Sequence, residues 1–129
     1  MPLVTVTLMK GKSKEFKKAI LAEVHEALVA AFRIPDQDKN QRLIEIEPEN
    51  FECPVGNTEN FVTIEMTVFH GRSLHAKKTL YKEIATRLQT FGVPPNDILI
   101  ILHEPPFENW GIRGGYPASE INLGFKVDV

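Results

Sequence analysis

The chain has one cysteine in 129 residues, Cys53, so no disulfide can form within it. No Cys or His stands beside it at ligand spacing, which removes the usual signature of a metal site and leaves Cys53 as an expected loop residue. A charge excess is absent too. Fifteen Lys and Arg against seventeen Asp and Glu give a net charge of −2 and a pI near 6.1, which offers no electrostatic footprint for nucleic acid or an anionic membrane. No apolar run approaches the roughly 18 residues of a membrane span, and no basic stretch followed by an apolar core opens the chain. These absences predict a cytoplasmic protein without metal, nucleic-acid or membrane partners. What is present, 43% hydrophobic and 25% charged residues, is the balance of one globular domain over 1–129.

Leu3-Val4-Thr5-Val6-Thr7-Leu8 reads as a strand that starts almost at the first residue, with Pro2 at its tip. Proline is tolerated at the start of a strand, where its missing N–H costs least. Once Met1 is removed, the same residue is a free secondary amine, able to act as a base without a side chain. Both readings of Pro2 stand on sequence alone. Lys10-Gly11-Lys12 is a turn and Ser13 a helix N-cap. Phe16, Ile20, Leu21, Val24, Leu28, Ala31 and Phe32 then recur at helical spacing. Ile34-Pro35-Asp36 ends that helix, because a proline biases its predecessor away from helical geometry. Arg42 to Glu47 alternates as a strand, stopped by Pro48.

The same events follow again. Phe61 to Val68 is a strand, His70-Gly71-Arg72 a turn and Ser73 a second N-cap, sixty residues after Ser13. Leu80, Ile84, Leu88 and Phe91 mark the second helix, and Ile98 to Leu102 a second apolar strand. The chain is a tandem β-α-β duplication with repeats at about 3–48 and 62–105. A β-α-β unit needs parallel strands and a right-handed crossover. The fold class is therefore α/β, a two-layer sandwich with two helices on one face of a four-stranded mixed sheet. Thr5, Thr7, Glu45, Glu47, Thr63, Glu65 and Thr67 are assigned to the opposite face, a polar surface suited to a wet interior between subunits. Residues 106–120 form a long Pro- and Gly-rich loop of the kind that is usually functional. Ile121 to Val129 alternate apolar and polar and are predicted to form a short strand that pairs with a neighbour.

Met-Pro opening a strand, the duplication, and Gly71-Arg72-Ser73 starting the second helix resemble the tautomerase superfamily, and within it the double-length group around malonate semialdehyde decarboxylase. The likeness continues through Val24-His25, Ala30-Ala31-Phe32, Pro35-Asp36-Gln37-Asp38 and Asn109-Trp110-Gly111. The resemblance implies a homotrimer, a small-molecule carboxylate substrate, no cofactor, Pro2 as the catalytic amine and Arg72 as the residue that binds the carboxylate. A guanidinium offers a bidentate fork for that anion, and the start of a helix is a poor place for a cation with no anion to meet. Asp38 matches an acid that assists the proline in the decarboxylase group, and it is equally placed to be a turn aspartate. His70 stands where that group has a second arginine, and a histidine is not a permanent cation. His25 aligns with a substrate-contacting histidine of cis-3-chloroacrylic acid dehalogenase, or is a satisfied core residue. Trp110 is either a core plug beneath the loop or the apolar wall of the pocket, where it would favour an unsaturated or aromatic substrate. His75 is expected at the surface.

Three functions follow: keto–enol tautomerisation of a small 2-oxo acid, phenylpyruvate- or 2-hydroxydienoate-like; decarboxylation or hydration of a 3-carbon oxo acid such as malonate semialdehyde; or a non-catalytic trimer that kept the fold. Retention of Met1 favours the last, because an acylated proline nitrogen is an amide and not a base.

Overall fold

The computed structural model describes residues 2–129. Strand β1 (Leu3–Met9), helix α1 (Lys14–Phe32) and strand β2 (Gln41–Ile46) form one β-α-β unit; β3 (Val62–Thr67), α2 (Leu74–Gln89) and β4 (Ile98–His103) form the other. The sheet order is β2-β1-β3-β4, parallel within each unit and antiparallel where β1 meets β3. Both helices lie on one face, as the periodicity requires. Val4, Val6 and Leu8 of β1 and Val62, Ile64 and Met66 of β3 are buried against Ile20, Val24, Leu28, Phe32, Leu80, Ile84 and Leu88. Each such side chain contributes about 1.5–3 kcal/mol by leaving water.

The two serines start the helices as predicted. Ser13 Oγ accepts the N–H of Phe16 at 3.0 Å and Ser73 Oγ that of Ala76 at 3.1 Å, caps that contribute about 1 kcal/mol each. Helix α1 ends where Arg33 turns left-handed, its N–H bonded to the Val29 carbonyl. Helix α2 stops earlier than its apolar stripe suggests, and Phe91 is exposed. The chain reverses through Gly92, and Val93, bonded to the Leu88 carbonyl at 3.2 Å, takes the core position assigned to Phe91.

A second correction concerns β2. The register sets Arg42, Ile44 and Ile46 beside Thr5, Thr7 and Met9. Glu45 therefore faces the helices, where Lys17 reaches it at 3.0 Å. An alternating edge strand flanked by charges does not reveal which set faces inward; pairing decides it. The outer face thus carries a central stripe of half-buried threonines with Glu65 among them, and exposed Ile44 at one edge and exposed Leu99 and Ile101 at the other.

The third correction is at the carboxy terminus, where 121–129 form no strand. A short hairpin of β5 (Gly111–Ile112) and β6 (Tyr116–Pro117) comes first. Ile121, Leu123, Phe125 and Val127 then pack onto Phe69, Ile112 and Ala118, so the alternation marks one buried side, not a ladder. The tail is clipped at Val129, whose carbonyl accepts the Ser73 hydroxyl at 2.8 Å and its N–H at 3.4 Å. The 49–60 loop is pinned similarly: buried Asp97 accepts from the Thr58 hydroxyl and N–H and from the Asn57 amide. Those bonds, the Thr58 hydroxyl first, hold its carboxyl below its ordinary pKa. Cys53 lies in this loop, half-buried. No helix of the described residues is long and apolar enough to cross a membrane.

Candidate active site

The antiparallel register, with Leu3 opposite Thr67, sets Pro2 beside the chain leaving β3 at Val68 and Phe69. Pro2 is buried there, in a pocket closed by Phe32 and Ile34 at the end of α1, by Arg72 and by Phe125 of the tail. The pocket is closed and nowhere has room for a water molecule. Arg72 is the charged residue in this otherwise apolar lining, among the described residues.

Arg72 is carried by the turn before α2. Gly71 adopts φ +125, a conformation that L side chains rarely take, so glycine is selected by backbone geometry; an added Cβ would meet Val127 at an ordinary 3.6 Å. Arg72, which follows, is only 7% exposed as a residue. Its Nη1 donates to the Phe69 carbonyl at 3.0 Å, its guanidinium carbon lies 4.8 Å from the centre of the Phe32 ring, and its Nε has no hydrogen-bond partner. Burial lowers its pKa, opposed by the field of Glu104. Glu104 itself is engaged by Lys77 at 2.6 Å. A desolvated guanidinium with an unused donor, at the start of a helix, can take up a carboxylate: the anion supplies the missing acceptor and meets both the cation and the helix dipole.

Against this pocket lies an open cleft of about 240 Å³, sharing Phe69 and Phe125 with it and lined also by Asp38 and Arg113. Asp38 closes a turn through its N–H to the Pro35 carbonyl at 3.0 Å. The other sequence candidates are elsewhere. His25 is 1% exposed, and its Nε2 bonds the Asp36 carbonyl at 2.8 Å, so it holds the 35–38 turn and lines neither hollow. His70 is exposed, its ring on Phe107 at 4.6 Å. Trp110 packs behind Phe69 at 4.6 Å and donates its indole N–H to the Pro105 carbonyl, a plug beneath the loop. His75 is at the surface. No group of three or more His, Cys, Asp or Glu among the described residues is placed to hold a metal. Sequence reasoning did not single out Phe32, Phe69 and Phe125 as walls, nor Arg113. The available signals were Val68-Phe69 running on past the strand and an arginine before Gly114-Gly115, where Arg113 takes φ +50.

A model of the family described as "Tautomerase enzyme" matches residues 38–113, and a second model with that description matches residues 2–53. The chain is 26% identical over 121 residues to "Probable tautomerase YusQ" of Bacillus subtilis (strain 168), across 89% of this chain and 95% of that protein. Among solved structures, FG41 malonate semialdehyde decarboxylase inhibited by 3-bromopropiolate superposes with a TM-score of 0.83 at 26% identity, over 94% of this chain and 98% of that one. A wild-type fused 4-OT solved as an asymmetric trimer gives 0.81 at 22% identity, over 91% and 96%, a likeness of fold. With one family match alone spanning more than half of its length, the chain belongs to the tautomerase enzyme family.

Proposed function

We propose that the protein is a cofactor-independent keto–enol tautomerase of a small 2-oxo acid or its enol, phenylpyruvate- or 2-hydroxydienoate-like. One observation carries the reading: Pro2 and a buried guanidinium with an unused donor line the same pocket. Arg72 would hold the substrate carboxylate. The Pro2 amine would take the proton from the 2-hydroxyl and, as its conjugate acid, return one to C3 while the double bond moves from C2–C3 to C2–O. The proton passes between two substrate atoms by way of one amine, so the chemistry requires no cofactor.

Pro2 is basic only when Met1 has been removed, and Met1 lies outside the described residues. Intact mass of the purified cellular protein is expected to lack Met1, and the enol of phenylpyruvate is expected to ketonise faster with the protein than in buffer, with solvent deuterium entering C3. Loss of Met1 without any acceleration would refute the tautomerase reading. A retained Met1 would leave the non-catalytic trimer.

A second reading, decarboxylation or hydration of malonate semialdehyde, is favoured by the likeness to FG41 malonate semialdehyde decarboxylase and by Asp38 in the adjoining cleft, where it could assist a protonated Pro2. Turnover of malonate semialdehyde to acetaldehyde, without effect on the enol, would select it.

The exposed Ile44, Leu99 and Ile101 on one sheet face support a homotrimer, the assembly of the fused 4-OT structure. Sedimentation equilibrium is expected to return about three chain masses of 14.6 kDa; a stable monomer would end the idea.

A further inference from the structure

Phe125 stands where three hollows meet. Its ring closes the Pro2–Arg72 pocket, walls the cleft of Asp38 and Arg113, and borders a third groove of about 270 Å³ lined by Phe107, Ile121 and Leu123 with Ser119 and Asn122. The closed pocket has no room for a water molecule, so no substrate carboxylate reaches Arg72 while every wall keeps its place. Most walls are fixed. Phe32, Val68 and Phe69 are 0–2% exposed and set in the packed core. Phe125 is half-buried, on a tail with no ladder bonds, and is preceded by Gly124 at φ +81. The tail is held further on, where Val127 meets Gly71 and Val129 meets Ser73.

We propose that Phe125 is the gate and the specificity-determining residue of this site. Its ring leaves the Pro2 pocket for the groove of Phe107 and Ile121, and so joins Pro2 and Arg72 to the cleft of Asp38 and Arg113. The groove offers the ring Phe107, Ala118, Ile121 and Leu123 beside the polar Ser119 and Asn122, so much of the apolar contact given up in the pocket is made again there. The substrate then lies with its carboxylate inward at Arg72 and its far end in the cleft, which fits an elongated, unsaturated enol better than a compact one. This inference rests on Pro2 and Arg72 being the site.

The test reads access to Arg72 without relying on turnover. Modification of arginines by 2,3-butanedione, mapped by mass spectrometry, should be slow at Arg72 relative to exposed Arg33 in the unaltered protein. Phe125→Ala should speed it roughly tenfold, because apparent reactivity scales with the fraction of open molecules. Phe125→Leu should restore most of the protection. Phe125→Trp, which adds volume and keeps the tail packed, should slow modification further, so the gate remains testable if the alanine variant folds poorly. In activity, Phe125→Ala should shift the ratio of kcat/KM for phenylenolpyruvate over enolpyruvate about tenfold towards the larger substrate, the scale of one pocket contact. Equal Arg72 modification across the unaltered, alanine and tryptophan proteins would overturn the gate. Graded modification in a protein without tautomerase activity would keep the gate and refute only the proposed function.

Discussion

Pro2→Ala is expected to lower kcat for enol ketonisation by about 10²–10⁴, the contribution of one positioned acid–base group, while KM should change little under the proposal that Arg72 holds the carboxylate. The fold should survive. Pro2 precedes β1 and donates no backbone bond, and the ladder begins with Val4 N–H to the Asn40 carbonyl at 2.9 Å, which the substitution does not touch. Alanine keeps an amino group at the same place, so the change tests the secondary amine and its ring and not the mere presence of a base. An ordinary α-amino group titrates at roughly 7.7–8.0. With Met1 removed, the burial of Pro2 and the guanidinium of Arg72 would both disfavour the protonated amine, the direction that a base at neutral pH requires. An unchanged kcat would remove Pro2 from the mechanism.

Most of the fold was legible because the repeat states it twice. Ser13 and Ser73, each after a Gly and a basic residue, fix both helix starts, and apolar residues at helical spacing fix both buried faces. Inward phase was legible for β1 and β3, whose alternate residues are wholly apolar, and not for β2, where Glu45 and Ile44 exchange the faces that composition suggests. Pro2 and Arg72 were singled out by the resemblance, and what sets both at one pocket, the antiparallel pairing of the first strand with the third, was not legible in the sequence. For His25 and Trp110 the sequence left a core role open beside a substrate-contacting one, because spacing says nothing of side-chain direction: His25 turns to the Asp36 carbonyl and Trp110 to the back of Phe69. Phe125 was legible as one of the alternate apolar residues of the tail and not as a wall of the pocket, since alternation marks a buried side without naming what it covers.

The duplication also explains why one end of the β1–β3 pair differs from the other. Sixty residues before Arg72 stands Lys12, after Gly11 and before Ser13, and sixty after Pro2 stands Val62. Val62 is inside the chain, so its nitrogen is an amide, committed to strand β3 and without basicity. Lys12 is turned to other partners, Asn60 and the Phe16 ring at 5.5 Å. Phe91, the counterpart of buried Phe32, is exposed, because α2 stops before it and Val93 takes the core position; the tail that closes the pocket follows only the second repeat and clips at Ser73. One fold symmetry thus yields one candidate site per chain.

Arg72→Met separates what Arg72 does for the fold from what it does for a substrate. The change keeps volume against Phe32 and removes a buried charge that desolvation already opposes, so the melting temperature should be unchanged or higher, offset by the donor the Phe69 carbonyl loses. Binding should suffer instead. Loss of a charge-assisted anchor should raise KM by about 1.5–3 kcal/mol, roughly 10- to 150-fold. The cation beside Pro2 goes too, so the protonated amine is favoured, its pKa rises, and the acidic limb of the kcat/KM profile moves to higher pH. Arg72→Lys keeps the charge and loses the fork, so it should return the limb most of the way and the affinity hardly at all. Weakened binding with an unmoved limb would make Arg72 an anchor only, and burial alone would then have to depress the amine. A large fall in melting temperature with KM unchanged would make it a structural arginine, and the site would have to be sought in the cleft of Asp38 and Arg113.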